Sequence, residues 1–267
     1  MNTIKTLGLA ILIILSSSCS NVPLTGRKQL TAIPSSQMLA LSADSYSQVL
    51  TDSKLSSNQA YVDAVQRVGK KITAAVQEFM TMQGLESRIA GFDWQYNVIV
   101  SEQLNAWCMP GGQIAFYEGI MPVCGDDNGI AIVMGHEVAH AVAKHGNERL
   151  SQQLAIQMGG IALSEALKTK KEETQQLALL AFGVGSQLGV QLPYSRTHEL
   201  EADELGLYFM AMAGYDPQTA PGFWEKMNAQ GGERPPEFLS THPDPANRIE
   251  NLKKVMPKAL EYYQSKK

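Results

Sequence analysis

The chain has little that would staple it, drive it onto nucleic acid or hold it across a membrane. It has only three cysteines in 267 residues, one of them at position 19. That excludes a disulfide-dense scaffold and leaves Cys108 and Cys124 as the only internal pair. A bond between them is open, but both lie in packed strand-like sequence, so two separate buried thiols are the expectation. Basic residues are neither in excess nor gathered into a run, and the formal net charge is −4. No electrostatic footprint for nucleic acid exists. Internal repeats, heptads and low-complexity segments are also missing. No long transmembrane segment is expected, since the clearest apolar run, Leu7 to Leu15, is too short to span.

That run reads instead as export machinery. Lys5 precedes it, and Ser16, Ser17 and Ser18 lead to Cys19. Small residues before a cysteine resemble the bacterial lipoprotein signal, although Ser16 stands where a large aliphatic residue is usual. The expected organisation is a signal peptide over 1–18, a lipidated tether over 19–34 with its anchor on Cys19, and one domain over 35–267. The implied location is a periplasm-facing lipoprotein of the bacterial cell envelope, with the outer membrane favoured over the inner.

Within the domain, Met38, Leu39, Leu41 and Val49 suggest a first helix. Tyr61, Val65, Val68, Ile72, Val76 and Phe79 give three-four spacing in a second. Trp94 to Val100 and Gln113 to Tyr117 read as strands, the latter after a Pro110-Gly111-Gly112 turn. Asp126 or Asp127 can cap a helix running to about Lys144, and helical patterns dominate from there. Leu177 to Phe182 is an apolar run that could pack, line a cleft or touch lipid, and a core helix is the expectation. The fold class is α+β, mostly helical with a small sheet beside the active-site helix.

The chemistry lies in His136-Glu137-Val138-Ala139-His140. Helix positions four apart share a face, so the two imidazoles can aim at one zinc ion. Glu137 between them suits a base that takes a proton from an attacking water and passes it to the leaving amine. The flanking residues Val133, Met134, Val138, Ala139, Ala141 and Val142 make the helix apolar on nearly every side. Unpaired histidines and a glutamate would be costly there. A catalytic zinc needs a third protein ligand. A histidine six residues on is ruled out, because that position is Gly146 and His145 misses the register. Glu199 fits better, with Asp203 one turn further along the same face to accept the second N–H of a ligand histidine, expected to be His136. Glu201 and His198 compete but lack an acidic partner four residues on.

His242, in Ser240-Thr241-His242-Pro243, could donate to a transition state, act as a fourth ligand in a latent state, or merely start a helix. Arg248 could orient His242 or a substrate carbonyl, or sit on a solvated helix face. Tyr194 is a weaker candidate for oxyanion stabilisation.

These residues resemble the zinc metallopeptidase family that includes the CAAX prenyl protease, the heat-shock membrane protease and the Oma-type proteases. The likeness runs from Asn21-Val22-Pro23-Leu24-Thr25-Gly26-Arg27 through Asn105-Ala106-Trp107-Cys108-Met109-Pro110-Gly111-Gly112 and the His136 helix. It continues through Ser195-Arg196 and Glu199-Leu200-Glu201-Ala202-Asp203 to His242-Pro243. It implies a gluzincin-type domain, one zinc ion per chain on His136, His140 and Glu199, and Glu137 as base. It also implies that Asn105, Ala106 and Trp107 lie on a strand along which an extended substrate is laid; an internal strand with Trp107 in the core is the other reading. The compact lipoprotein branch is the best match, which implies a metalloendopeptidase acting on unfolded or damaged envelope proteins. A chaperone-like binding module with little turnover is the alternative.

Overall fold

A computed structural model describes residues 19–230, 237–242 and 247–266. The expected signal peptide and Pro243 lie outside the described residues, as do the side chains of Cys19 and Tyr194.

In chain order the elements are β1 (Cys19–Asn21), β2 (Lys28–Leu30), α1 (Ser35–Asp52), α2 (Gln59–Gln83), β3 (Gln95–Ile99), β4 (Ala106–Cys108) and β5 (Gln113–Tyr117). The helices α3 (Met121–Cys124), α4 (Asp127–Val142), α5 (His145–Leu167) and α6 (Glu172–Ser186) follow. A π-helical turn, Gln187–Gln191, leads into α7 (Leu192–Met212), then α8 (Ala220–Ala229), α9 (Glu237–Thr241) and α10 (Arg248–Gln264). The mostly helical α+β class is what the patterning led one to expect.

The chain divides into two compact units. The larger comprises Ser35–Ala143 and His198–Lys267. In it, β5 is the middle strand of a three-stranded sheet, parallel to β3 and antiparallel to β4. Ile114, Ala115 and Phe116 are fully buried, which is why this strand is a continuous apolar run rather than an alternating one. Helix α2 starts at Asn58, whose side chain accepts from Tyr61 N, and stops at Gly84, where φ of 63° favours glycine. Its buried face carries Val65, Val68, Ile72, Val76 and Phe79. At Gly69 the helix lies so close to β3 that a Cβ would meet the Tyr96 ring. Helix α4 is capped by Asp126, which accepts from Gly129 N, and every residue from Gly129 to Val142 is buried. An apolar helix enclosed on all sides matches its composition.

The smaller unit holds the described residues up to Pro34 with Lys144–Thr197. Residues 19–34, read from sequence as a tether, form the antiparallel β1–β2 pair and are tied to α5. Arg27 makes a fork-shaped pair with Glu148, both contacts at 2.8 Å. Ser151 Oγ accepts from Ala32 N at 2.9 Å, and Asn147 Nδ2 donates to Ile33 O at 2.7 Å.

One expectation fails in this unit. The run Leu177 to Phe182 is not a core helix, since Leu177 and Leu180 are 68% and 65% exposed. Apolar composition alone does not say whether a partner surface exists within the chain. The helix Glu172–Met212 is long and apolar enough to cross a membrane, by length and composition only.

Candidate active site

The site lies wholly in the larger unit, where α4 crosses α7 at a pair of glycines. A Cβ on Gly135 would stand 2.7 Å from Gly206 O, and one on Gly206 would stand 2.7 Å from His136 N. Backbone therefore meets backbone, and that approach brings the carboxylates of α7 to the imidazoles of α4.

His136, His140, Glu199 and His242 each offer one donor atom, all within 4.8 Å of one another. His136 Nε2 lies 3.1 Å from His140 Nε2 and 3.2 Å from Glu199 Oε2. His242 Nδ1 is 3.3 Å from His136 Nε2 and 3.3 Å from Glu199 Oε2. Tetrahedral zinc bonded at its usual lengths separates its ligand atoms by about 3.4 Å, so these spacings suit the ion. The donor chemistry agrees. Glu199 Oε1 is buried without a hydrogen bond, 3.4 Å from His140 Nε2. Imidazole nitrogens that converge on a carboxylate and on one another need positive charge among them, which a metal ion supplies, or a proton on His136 when the metal is absent.

Behind the donors, His136 Nδ1 donates to Asp203 Oδ1 at 2.9 Å, which leaves the Nε2 lone pair aimed at the cluster. Arg248 donates from Nε to the other Asp203 oxygen at 2.7 Å and from Nη2 to Glu199 Oε2 at 3.3 Å. Its guanidinium lies 4.1 Å over the Trp224 ring, whose neighbour at 5.4 Å is His136. Arg248 thus serves the two carboxylates, and it is buried instead of solvated. His242 is held by Phe238, stacked on its ring at 4.6 Å. Its Nε2 lies 3.4 Å from Glu137 Oε1.

Burial alone would depress His136. The Asp203 and Glu199 carboxylates outweigh it and push the imidazole up to about 9. Burial would raise Glu199, but His140, His136 and His242 hold it well below the usual carboxylate range. Cys108 and Cys124 are both free thiols. Burial, and then the Glu137 charge, push the Cys108 thiol well up, so it stays protonated and unreactive.

Of the other sequence candidates, His198 and Glu201 are buried but stand outside the donor group. Asn105 uses its side chain on the Ala106 N–H at 2.9 Å. Trp107 is half-buried, edge-on to Tyr46 with ring centroids 5.8 Å apart. Strand β4, which carries it, pairs only with β5 among the described residues. Trp224, Phe238 and the glycine pair escaped sequence reasoning. Gly135 and Gly206 each carried a signal, as an isolated glycine inside a helical pattern.

Two histidines one helical turn apart, a glutamate between them and a glutamate from a later helix with its own acidic partner define a gluzincin-type metallopeptidase site. The model of Peptidase family M48 matches residues 66–256, and the chain belongs to that family, whose metalloproteases use zinc. The chain is 30% identical over 243 residues to the mitochondrial metalloendopeptidase OMA1 of Schizosaccharomyces pombe, covering 89% of this chain and 66% of that protein. It is 36% identical over 186 residues to its namesake in Saccharomyces cerevisiae, covering 67% of this chain and 51% of that one. A third relative, the beta-barrel assembly-enhancing protease of Escherichia coli, is 27% identical over 161 residues, 58% of this chain and 33% of that protein. The chain therefore spans less than two thirds of the length of these relatives.

The expected location is corrected by the same comparisons. A periplasm-facing lipoprotein of a bacterial envelope does not accord with relatives at 30% and 36% identity that are mitochondrial proteins of yeasts. A short apolar run before a cysteine is a weak pattern, and it was outweighed by likeness over most of the chain.

Proposed function

We propose that this chain is a zinc metalloendopeptidase that cleaves unfolded or damaged protein chains, with the metal on His136, His140 and Glu199. The convergence of these three donors with His242 inside 4.8 Å carries the reading. Bound there, zinc would supply Lewis-acid polarisation of the scissile carbonyl and acidify the attacking water. Glu137, buried beside the donors, takes the proton of that water and returns it to the leaving amine. Asp203 fixes the His136 tautomer, and Arg248 holds Asp203 and Glu199 in place. The side of β4 away from β5 receives an extended substrate through backbone hydrogen bonds, which favours unfolded chains over particular sequences. Quality control is also in keeping with the name of the relative described as assembly-enhancing.

His242 takes a fourth donor position, so it must withdraw before substrate can enter. That favours a second reading, in which the cleft holds unfolded chains and cleaves rarely. Peptide release from reduced, unfolded casein separates the two. The zinc-loaded chain should release peptides about 10²–10⁴-fold faster than Glu137→Gln at equal zinc content. Equal release by both would remove the enzyme claim and leave the binding module.

A further inference from the structure

The helical pair α5–α6 has a composition that water does not suit. None of the residues with described side chains from Gln152 to Leu192 is buried. Leu150, Leu154, Met158 and Ile161 form one exposed stripe along α5. Leu177, Leu180, Val184, Leu188 and Leu192 form another along α6 and the helix that continues it. These nine are most of the fourteen exposed large apolar side chains among the described residues, so the exposure is concentrated in one place. The two helices are fixed to each other, because Gly159 sits under the Phe182 ring, where a Cβ would meet it at 2.9 Å.

Three features distinguish lipid from a protein partner. First, no charged residue occurs from Leu150 to Ser164 or from Thr174 to Ser195. At about 1.5 Å per residue, those stretches are roughly 22 and 33 Å long, against a hydrocarbon core of about 30 Å. A protein interface is normally rimmed by polar and charged groups close at hand. Second, the charges are gathered outside these stretches. Glu165, Lys168, Lys170, Lys171, Glu172 and Glu173 cluster at the turn, and Arg149 and Arg196 stand at the opposite ends. Third, Gly159, Gly160, Gly183, Gly185 and Gly189 interrupt the helices. Each costs a water-exposed helix about 1 kcal/mol relative to alanine, whereas glycine is common in membrane helices. Helices without a charged face over such lengths belong in a core or in a bilayer, and among the described residues this pair has no core around it.

We infer that the α5–α6 hairpin embeds in the hydrocarbon of a lipid bilayer. The contact is independent of the proposed zinc site and of any anchor at the N-terminus.

The test uses the full chain with Leu180→Trp, mixed with vesicles of phosphatidylcholine and phosphatidylglycerol carrying or lacking bromine on the acyl chains. The emission added by the new tryptophan should shift to the blue on vesicles and fall about twofold on the brominated ones, as expected of a side chain below the headgroups. Changing Leu177, Leu180, Val184 and Leu188 together to Gln should abolish that quenching in the corresponding tryptophan variant at Met158. Zinc content equal to wild type would show the larger unit still folded. Unquenched emission from protein that floats with the vesicles overturns the inference, because another segment then holds the membrane. A blue shift present without vesicles and lost on dilution also overturns it, assigning the face to a second copy of the chain.

Discussion

Replacing Gly206 by alanine should damage folding and metal binding together. The new Cβ would lie 2.7 Å from His136 N and 2.8 Å from Gly135 C, both backbone atoms that no rotamer change can move. Restoring an ordinary carbon contact of about 3.5 Å requires α4 and α7 to separate by roughly 0.8 Å. Overpacking of this kind costs about 1–3 kcal/mol, and the melting temperature should fall by several degrees. Glu199 and Asp203 travel with α7 while His136 and His140 stay on α4, so the separation pulls the donor group apart. A metal site tolerates roughly 0.5 Å of such error, and zinc affinity should drop about tenfold or more. Thermal melts and chelator competition measure the two effects. Gly222→Ala is the control, since nothing lies within 4 Å of its Cβ and it occupies an exposed turn of α8. It should leave zinc affinity unchanged and gain up to about 1 kcal/mol. Wild-type stability and zinc affinity in Gly206→Ala would refute the view that this glycine contact sets the site.

Further outcomes follow from the groups behind the donors. Arg248→Met leaves the buried Asp203 and Glu199 carboxylates without their shared cation, and urea unfolding of the zinc-free chain should show a loss of about 3–5 kcal/mol. Asp203→Asn should keep the fold but weaken zinc about tenfold to a hundredfold in chelator competition. The metal-free chain should also lose stability as pH rises. His136 is raised to about 9 from an ordinary 6.5, so its contribution is fully present below pH 6.5 and gone above about 9. Denaturation in chelator across that range should show it, and stability that rises there would contradict the sign.

How much of this was readable in the chain depended on the distance over which each signal acts. His136, Glu137 and His140 declare themselves because helix geometry alone places them on one side of a turn. Glu199 was distinguished from Glu201 by Asp203 four residues on, again a local relation. Arg248 is different. Its partners are 45 and 49 residues away, and only the docking of α10 brings it to those carboxylates. Trp224, beneath both Arg248 and His136, reads in sequence as one more core aromatic. The strands Gln95–Ile99 and Gln113–Tyr117 emerged from β-branched and aromatic runs, but their parallel pairing through a central β5 did not. The α5–α6 pair misled because hydrophobicity reports what a helix would bury, and not whether the chain provides a surface to bury it.

The proposed activity depends on one ion held by three named side chains. Diffraction from zinc-loaded crystals, measured on both sides of the zinc absorption edge, locates that ion directly. It should appear once per chain, about 2.0–2.2 Å from His136 Nε2, His140 Nε2 and a Glu199 oxygen. An ion bound instead through His198 or Glu201, or no anomalous peak within this cluster, would contradict the assignment.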